Sequence, residues 1–124
     1  MSNPPSTRDI GAAHEERAFR HLLQAGLKPV LRNYACKGGE LDLIMATPDG
    51  ALVFIEVRFR RAGALVDGLS TVGETKRKRF LRAVKHYLLT HPQDAQRNLR
   101  FDVVSVSDAA LDWHQNAFDA GDGW

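Results

Sequence analysis

Residues 38–58 read GGELDLIMATPDGALVFIEVR and predict a β-hairpin, since two apolar segments flank a short polar turn. Pro48 suits the first corner of a type I turn, and Gly50 can take the left-handed position that closes a three-residue loop. The loop pairs Thr47 with Ala51. This pairing fixes the register of both strands.

Both predicted strands carry an acid. Counting outward from the turn places Asp42 opposite Glu56, with side chains on one face and Cβ atoms roughly 5 Å apart. Carboxylates that close repel each other unless a basic neighbour or a divalent cation compensates. Arg58 lies two residues beyond Glu56 and shares its face.

Length and composition limit the class of protein. A chain of 124 residues forms one domain with a genuine core. Cys36 is the single cysteine, which excludes an internal disulfide and favours a reducing compartment. No apolar run approaches the roughly 18 residues of a membrane span, so we expect a cytoplasmic protein that contacts no membrane.

Basic charge is clustered rather than abundant. The net charge is only +2, yet nine of the 17 Lys and Arg residues fall within residues 58–61 and 76–85. Clustered basic charge suits the phosphate backbone of nucleic acid, although a solvated helix face explains the same pattern. The residues expected to contact phosphates are Arg60, Arg61, Lys78, Arg82 and Lys85.

A first helix is predicted from Thr7 or Asp9 to a stop at Gly26. Its apolar stripe contains Ala12, Ala18, Phe19, Leu22 and Leu23, and Glu15 falls within that stripe. Glu15 therefore either meets a partner at the sheet or sits at the rim of the helix. Residues 1–8 are predicted to be disordered, 9–118 to form the domain, and 119–124 to be a frayed tail.

A second helix follows a loose segment, 62–73, and is capped by Ser70 or Thr71. Its predicted buried face contains Phe80, Ala83, Val84, Tyr87 and Leu88. Lys76 shares this stripe, so its amine is expected to point toward the sheet, unless it snorkels to solvent.

The remaining strands complete an α/β fold. Residues 28–34 predict a first strand, 99–106 a strongly β-branched strand, and 111–118 an edge strand or short helix. A helix that joins two strands implies a right-handed parallel crossover. The predicted core is αβββαβ, a mixed sheet flanked by two helices.

Asp102 and the histidines are predicted to have structural roles. Asp102 is expected to bond the backbone or Arg100 at its strand start, rather than to join the acids. The histidines show no ligand spacing, and each is assigned a surface or packing role: His14, His21, His86, His91 and His114.

Taken in order, several motifs resemble the YraN family, bacterial proteins similar in fold to Holliday junction resolvases and the PD-(D/E)xK nuclease superfamily. The resemblance covers most of the chain and rests on these residues: Gly11 with Glu15 and Ala18, Arg32-Asn33-Tyr34, residues 39–44, residues 54–60, Lys76 and residues 100–104. It implies a protein with a restriction-endonuclease-like fold that binds Mg²⁺ or Mn²⁺ and acts on or binds nucleic acid. DNA is the preferred partner, and branched or single-stranded DNA is one option. The resemblance is also compatible with a homodimer.

The resemblance also implies roles for single residues. Asp42 and Glu56 would be metal ligands, with Glu15 a third acid, and Arg58 would occupy the position of the superfamily lysine. Leu41 replaces the superfamily proline. Arg58 cannot give up a proton near neutral pH, so Lys76 is the candidate for the missing catalytic ammonium.

Three functions compete on this evidence. The first is a metal-dependent nuclease. The second is a non-catalytic nucleic-acid-binding protein that retains the nuclease fold, which Arg58 favours. The third is a module that binds a protein or membrane surface through its basic helix.

Overall fold

The computed structural model describes residues 7–60 and 74–117. Within them lie two helices and five strands: α1 Thr7–Gln24, β1 Lys28–Cys36, β2 Gly39–Ala46, β3 Leu52–Phe59, α2 Glu74–Thr90, β4 Leu99–Val106 and β5 Leu111–His114, with a short 3-10 turn at Asp94–Gln96. The predicted loose segment and its capping residues Ser70 and Thr71 lie outside the described residues. Neither described helix is both long and apolar enough to span a bilayer.

The five strands form one sheet in the order β1-β2-β3-β4-β5. Neighbouring strands are antiparallel except β3 and β4, which are parallel. The described α2 lies between these two strands in sequence, so the predicted parallel crossover is confirmed. The element order matches the predicted αβββαβ core, with β5 added at the edge.

The predicted turn between β2 and β3 is confirmed. The backbone N–H of Thr47 donates to the carbonyl of Ala51 at 2.9 Å, and Gly50 has a φ of 95°. The pairing runs from Ala46 opposite Leu52 to Leu43 opposite Ile55, as counted from the turn. Local turn chemistry therefore sets the register of the hairpin.

The sheet separates two hydrophobic cores. Val53 and Ile55 of β3 pack in one core with α1, whereas Leu52 and Phe54 pack in the other with α2. Because successive side chains of a strand point to opposite faces, the two helices cover opposite faces of the sheet. The α2 residues that were predicted to be buried pack in the core between α2 and the sheet, and Leu81 packs there as well.

Helix α1 differs from its prediction in the face that it buries. Its buried stripe follows His14, Ala18 and Leu22, while Ala12 is exposed. Residues four apart lie on one face of a helix, so His14 belongs to the same face as Ala18 and Leu22. The prediction missed it because it counted only apolar residues as buried. The helix begins at Thr7, one of the two predicted starts, so residues 7 and 8 belong to the helix and not to the segment predicted to be disordered. Residues 1–6 and 118–124 lie outside the described residues.

Asp102 is fully buried on β4 and holds the edge strand in place. Its carboxylate accepts hydrogen bonds from the Arg100 guanidinium at 2.9 Å, the Trp113 indole at 2.8 Å and the Asn116 backbone at 2.9 Å. The predicted pairing with Arg100 is confirmed. These bonds tie β4 to β5, so the tail forms an edge strand rather than a helix.

Candidate functional site

Three acids, named here the acid cluster, meet where β2 and β3 approach both helices. Glu15 comes from α1, Asp42 from β2 and Glu56 from β3. Lys76 reaches the cluster from the first turn of α2. The structure thus brings together residues that the sequence spreads over 62 positions, from 15 to 76.

Asp42 is held by the backbone of the neighbouring strand. The ladder between β2 and β3 stops at Leu43 opposite Ile55. Beyond that pair, the N–H of Val57 donates to Asp42 Oδ2 at 2.8 Å instead. The predicted pairing of Asp42 with Glu56 is therefore corrected: the strands separate there, and a side-chain oxygen accepts an N–H that a continued ladder would bond to backbone.

Glu56 is buried and in contact with Lys76. Its residue is 3% exposed, and its Oε1 lies 2.7 Å from Lys76 Nζ. Burial and, secondarily, repulsion from Asp42 raise the pKa of Glu56 to about 8, while Lys76 and Arg58 oppose both effects. The prediction that Lys76 points toward the sheet is confirmed, and its ammonium, which contacts Glu56, explains why the carboxyl is tolerated in the interior.

Glu15 links α1 to the cluster. Burial raises the pKa of Glu15 to about 7, aided by a hydrogen bond with Asp42 and by repulsion from the same group. Arg32 and Lys76 act in the opposite direction. Glu15 and Asp42 are therefore close enough for each charge to be felt by the other, and a bound cation would relieve that repulsion.

The cluster suits a hard cation by its chemistry. Carboxylate oxygens are the ligands that Mg²⁺ and Mn²⁺ prefer, and a bound cation would offset the cost of burying the charged form of these acids. Among residues 7–60 and 74–117, no group of three or more His, Cys, Asp or Glu side chains is placed so that it could hold a metal ion without other ligands. Since Mg²⁺ is usually held by one or two carboxylates with water and substrate phosphates, an open set of acids fits it.

The predicted basic residues divide into two groups. Arg58 is half-buried and close enough to lower the pKa of Glu56. Lys78, Arg82 and Lys85 are exposed on α2, as predicted. Arg60 lies apart from them, with an ion pair to Asp112 at 3.2 Å, and Arg61 lies outside the described residues.

Sequence reasoning missed two neighbours of the cluster. Arg32 lowers the pKa of Glu15, and its guanidinium lies 4.2 Å from the Phe19 ring centroid. Asn33 has a φ of 55°, a left-handed conformation inside a strand. Asparagine is enriched in that conformation, which was the available signal.

Two histidines have packing contacts that agree with their predicted roles. His14 stacks on Phe59 with ring centroids 4.2 Å apart, and His91 stacks on Tyr87 at 4.0 Å. Neither belongs to the acid cluster.

Comparison with known proteins gives close relatives. A family model described as "Uncharacterised protein family UPF0102" matches residues 14–106. A UPF0102 protein of Cupriavidus pinatubonensis is 50% identical over 114 residues, covering 92% of this chain and 88% of the relative. One from Saccharophagus degradans is 41% identical over 110 residues, covering 89% of this chain and 92% of the relative.

Two solved structures are more distantly similar. One, described as an EndoMS complex with double-stranded DNA, aligns over 83% of this chain with a TM-score of 0.40 and 16% identity. The other, a repair endonuclease from Pyrococcus abyssi, aligns over 86% with a TM-score of 0.39 and 17% identity. This chain spans 36% and 40% of their lengths. At TM-scores below 0.5, these likenesses carry no functional conclusion.

Proposed function

The chain belongs to the uncharacterised protein family UPF0102, and from its own site we propose that it is a metal-dependent nuclease acting on nucleic acid, with DNA preferred. The family membership confirms the resemblance drawn from the motifs. The activity is argued from the acid cluster alone.

One observation carries the proposal: three carboxyl groups from three separate elements converge, and two of them have raised pKa values. Such an arrangement costs stability, which is a common property of functional sites. In the proposal Asp42 and Glu56 hold Mg²⁺ or Mn²⁺, with Glu15 as a third acid. A bound cation of this kind activates water and stabilises charge on a phosphate.

The basic residues have separate parts in the proposal. Arg58 binds a phosphate oxygen, because a guanidinium is a fixed donor that stays charged. Lys76 holds the Glu56 carboxylate and supplies an ammonium that orients water or steadies developing charge. Lys78, Arg82 and Lys85 contact the phosphate backbone without reading bases.

A non-catalytic binding protein is the second candidate. The contact that favours it is the 2.7 Å ion pair between Lys76 and Glu56, since an ammonium already compensates one proposed metal ligand. The two functions differ in whether a divalent cation displaces that pair.

Metal binding is the first test. Calorimetric titration with Mn²⁺ should detect one site in the wild type and none in Asp42→Asn, which removes the charge but keeps an acceptor for Val57. Lys28→Gln, a charge change at the turn end of the sheet, is the control and should bind like the wild type. Equal binding by Asp42→Asn and the wild type would place the site elsewhere.

Cleavage is the second test, on linear, nicked, flapped and four-way DNA with Mg²⁺ or Mn²⁺. Lys76→Ala should abolish cleavage and leave Mn²⁺ binding intact, whereas Arg58→Lys should preserve or improve cleavage by restoring the superfamily residue. If Arg58→Ala loses cleavage and Lys76→Ala retains it, Arg58 is the essential phosphate contact. An inert wild type and inert Arg58→Lys, with DNA binding retained, would favour the binding protein.

The oligomeric state and compartment stay predictions. A homodimer can be tested by sedimentation velocity with and without DNA, and the cytoplasmic location by fractionation.

A further inference from the structure

Strand β1 contains an unusual backbone conformation opposite the acid cluster. Asn33 has a φ of 55°, although it lies within a strand. The ladder to β2 pairs Arg32 with Leu43 and Tyr34 with Leu41, which places Asn33 across from Asp42 without a pair between them. A left-handed residue other than glycine is uncommon and is found where the surrounding structure requires it.

The conformation of Asn33 turns β1 over, which means that the side chains before and after it point to opposite faces of the sheet. Residues two apart in a regular strand share a face. Here the guanidinium of Arg32 stacks on Phe19 of α1, whereas the Tyr34 ring meets Tyr87 of α2 edge-on at 5.5 Å. Because α1 and α2 cover opposite faces, the strand changes face between these two residues.

Strand β2 turns over at the same level. Leu43 packs in the core beneath α1, and Leu41, two residues away, packs in the core beneath α2. Asp42 is the residue between them. Its carboxylate therefore reaches sideways to the N–H of Val57 on β3, rather than standing on one face of the sheet.

We propose that Asn33 is a positioning residue for the acid cluster: its left-handed backbone turns β1 and β2 over together and aims the Asp42 carboxylate between the two faces. That placement lets Asp42 meet Glu15 from the α1 face and approach Glu56, which faces α2. The inference rests on the proposed function only for what Asp42 does once it is placed.

The space beside the two strands agrees with this account. A pocket of about 200 Å³ lies where the strands turn over, and its lining residues are Asn33, Tyr34, Ala35, Glu40, Leu41 and Asp42. The strands thus leave open space at the level where Asp42 turns toward β3.

The left-handed backbone at residue 33 determines which substitutions are tolerated there. Glycine adopts the left-handed conformation freely, whereas a residue branched at Cβ strongly resists it. Asn33→Gly should therefore keep the arrangement, and Asn33→Val should draw β1 toward regular extended geometry. Asn33→Ala provides a milder form of the same change if the valine variant does not fold.

The direct readout is hydrogen exchange at the Val57 amide in metal-free protein, because that amide donates to Asp42. Relative to the Ile55 amide, Val57 should exchange about tenfold faster or more in Asn33→Val, and measurably faster in Asn33→Ala. It should exchange at the wild-type rate in Asn33→Gly. Mn²⁺ affinity should follow the same order.

Asn116 offers a matched control, since it also has a positive φ, 53°, but lies after β5. Asn116→Val should lower thermal stability through the same backbone cost and leave Val57 exchange unchanged. Unchanged Val57 exchange in both Asn33→Val and Asn33→Ala would overturn the proposal, as would equal loss in Asn33→Gly, which would assign the effect to the amide side chain. Because this readout needs neither metal nor DNA, it can succeed or fail independently of the nuclease proposal.

Discussion

Glu56 makes the stability of the metal-free protein depend on pH. Its pKa rises from 4.5 to about 8 on folding, so between these values the native state binds more protons than the unfolded state. Stability from this group is complete below pH 4.5 and is lost as pH rises through about 8. Glu15 acts in the same direction, with a pKa of about 7.

We therefore expect the free energy of unfolding to fall as pH rises from 5 to 8, by about 1 kcal/mol or more. Glu56→Gln should flatten this dependence and make the protein more stable than the wild type at pH 8. Urea denaturation at several pH values measures both effects. Glu40→Gln, at an exposed acid, is the control and should retain the wild-type slope. A slope that Glu56→Gln leaves unchanged would contradict the assignment.

Helix α2 lies unusually close to the start of β2, and its position sets that of Lys76. A Cβ built on Gly39 would lie 2.7 Å from the carbonyl oxygen of Arg79 and 2.8 Å from the nitrogen of Ala83. Both are backbone atoms and cannot rotate away, so only glycine allows this approach. The distance between α2 and the sheet thus depends on one residue.

Gly39→Ala should destabilise the protein by about 1–3 kcal/mol, since the helix must shift to relieve the overlap. Calorimetric melting measures the loss. Gly11→Ala is the matched control: its added methyl has no neighbour within 4 Å, and it should stabilise α1 by about 0.5–1 kcal/mol. A Gly39→Ala variant that melts like the wild type would show that α2 moves without cost.

Strand β5 is attached to the sheet by its backbone ladder to β4 and by the buried carboxylate of Asp102. Asp102→Ala leaves the Arg100 guanidinium without its partner and should cost about 3–5 kcal/mol. Urea unfolding followed by tryptophan fluorescence reports it, because Trp113 donates to Asp102. Asp112→Ala breaks only the more exposed pair with Arg60 and should cost at most about 1 kcal/mol. Equal losses in the two variants would contradict this difference.

The whole molecule presents clustered positive charge beside the acid cluster, although its net charge is only +2. Lys78, Arg82 and Lys85 lie four and three residues apart on α2, so they share one exposed face. If this face tracks a phosphate backbone, DNA affinity must fall as salt rises.

Replacing each of these three residues by Gln should reduce the slope of log affinity against log salt by about 0.9 on duplex DNA and about 0.7 on single strands. Fluorescence anisotropy over a range of NaCl concentrations measures the slope. Lys28→Gln makes the same charge change at the far end of the sheet and should leave the slope unchanged. Salt-independent affinity, or an equal effect of Lys28→Gln, would exclude this face as the contact surface.

The sequence alone determined the features that depend on short-range chemistry. The turn at Pro48 and Gly50 fixed the hairpin register, and the stripe through Phe80 and Ala83 oriented Lys76 toward the sheet. These predictions hold because turn preferences and helical or strand periods are local, and each is read within about ten residues.

Tertiary structure decided the contacts between distant segments. Burial of His14, the attachment of β5 by Asp102 and the exact place of Asp42 depend on which elements meet, and no local period encodes that choice. The clearest case is Asn33, whose left-handed backbone interrupts the period of two along β1, next to Asp42 on β2. Regular periodicity predicts where a carboxylate should stand, but the packing of two helices on opposite faces decides where it points.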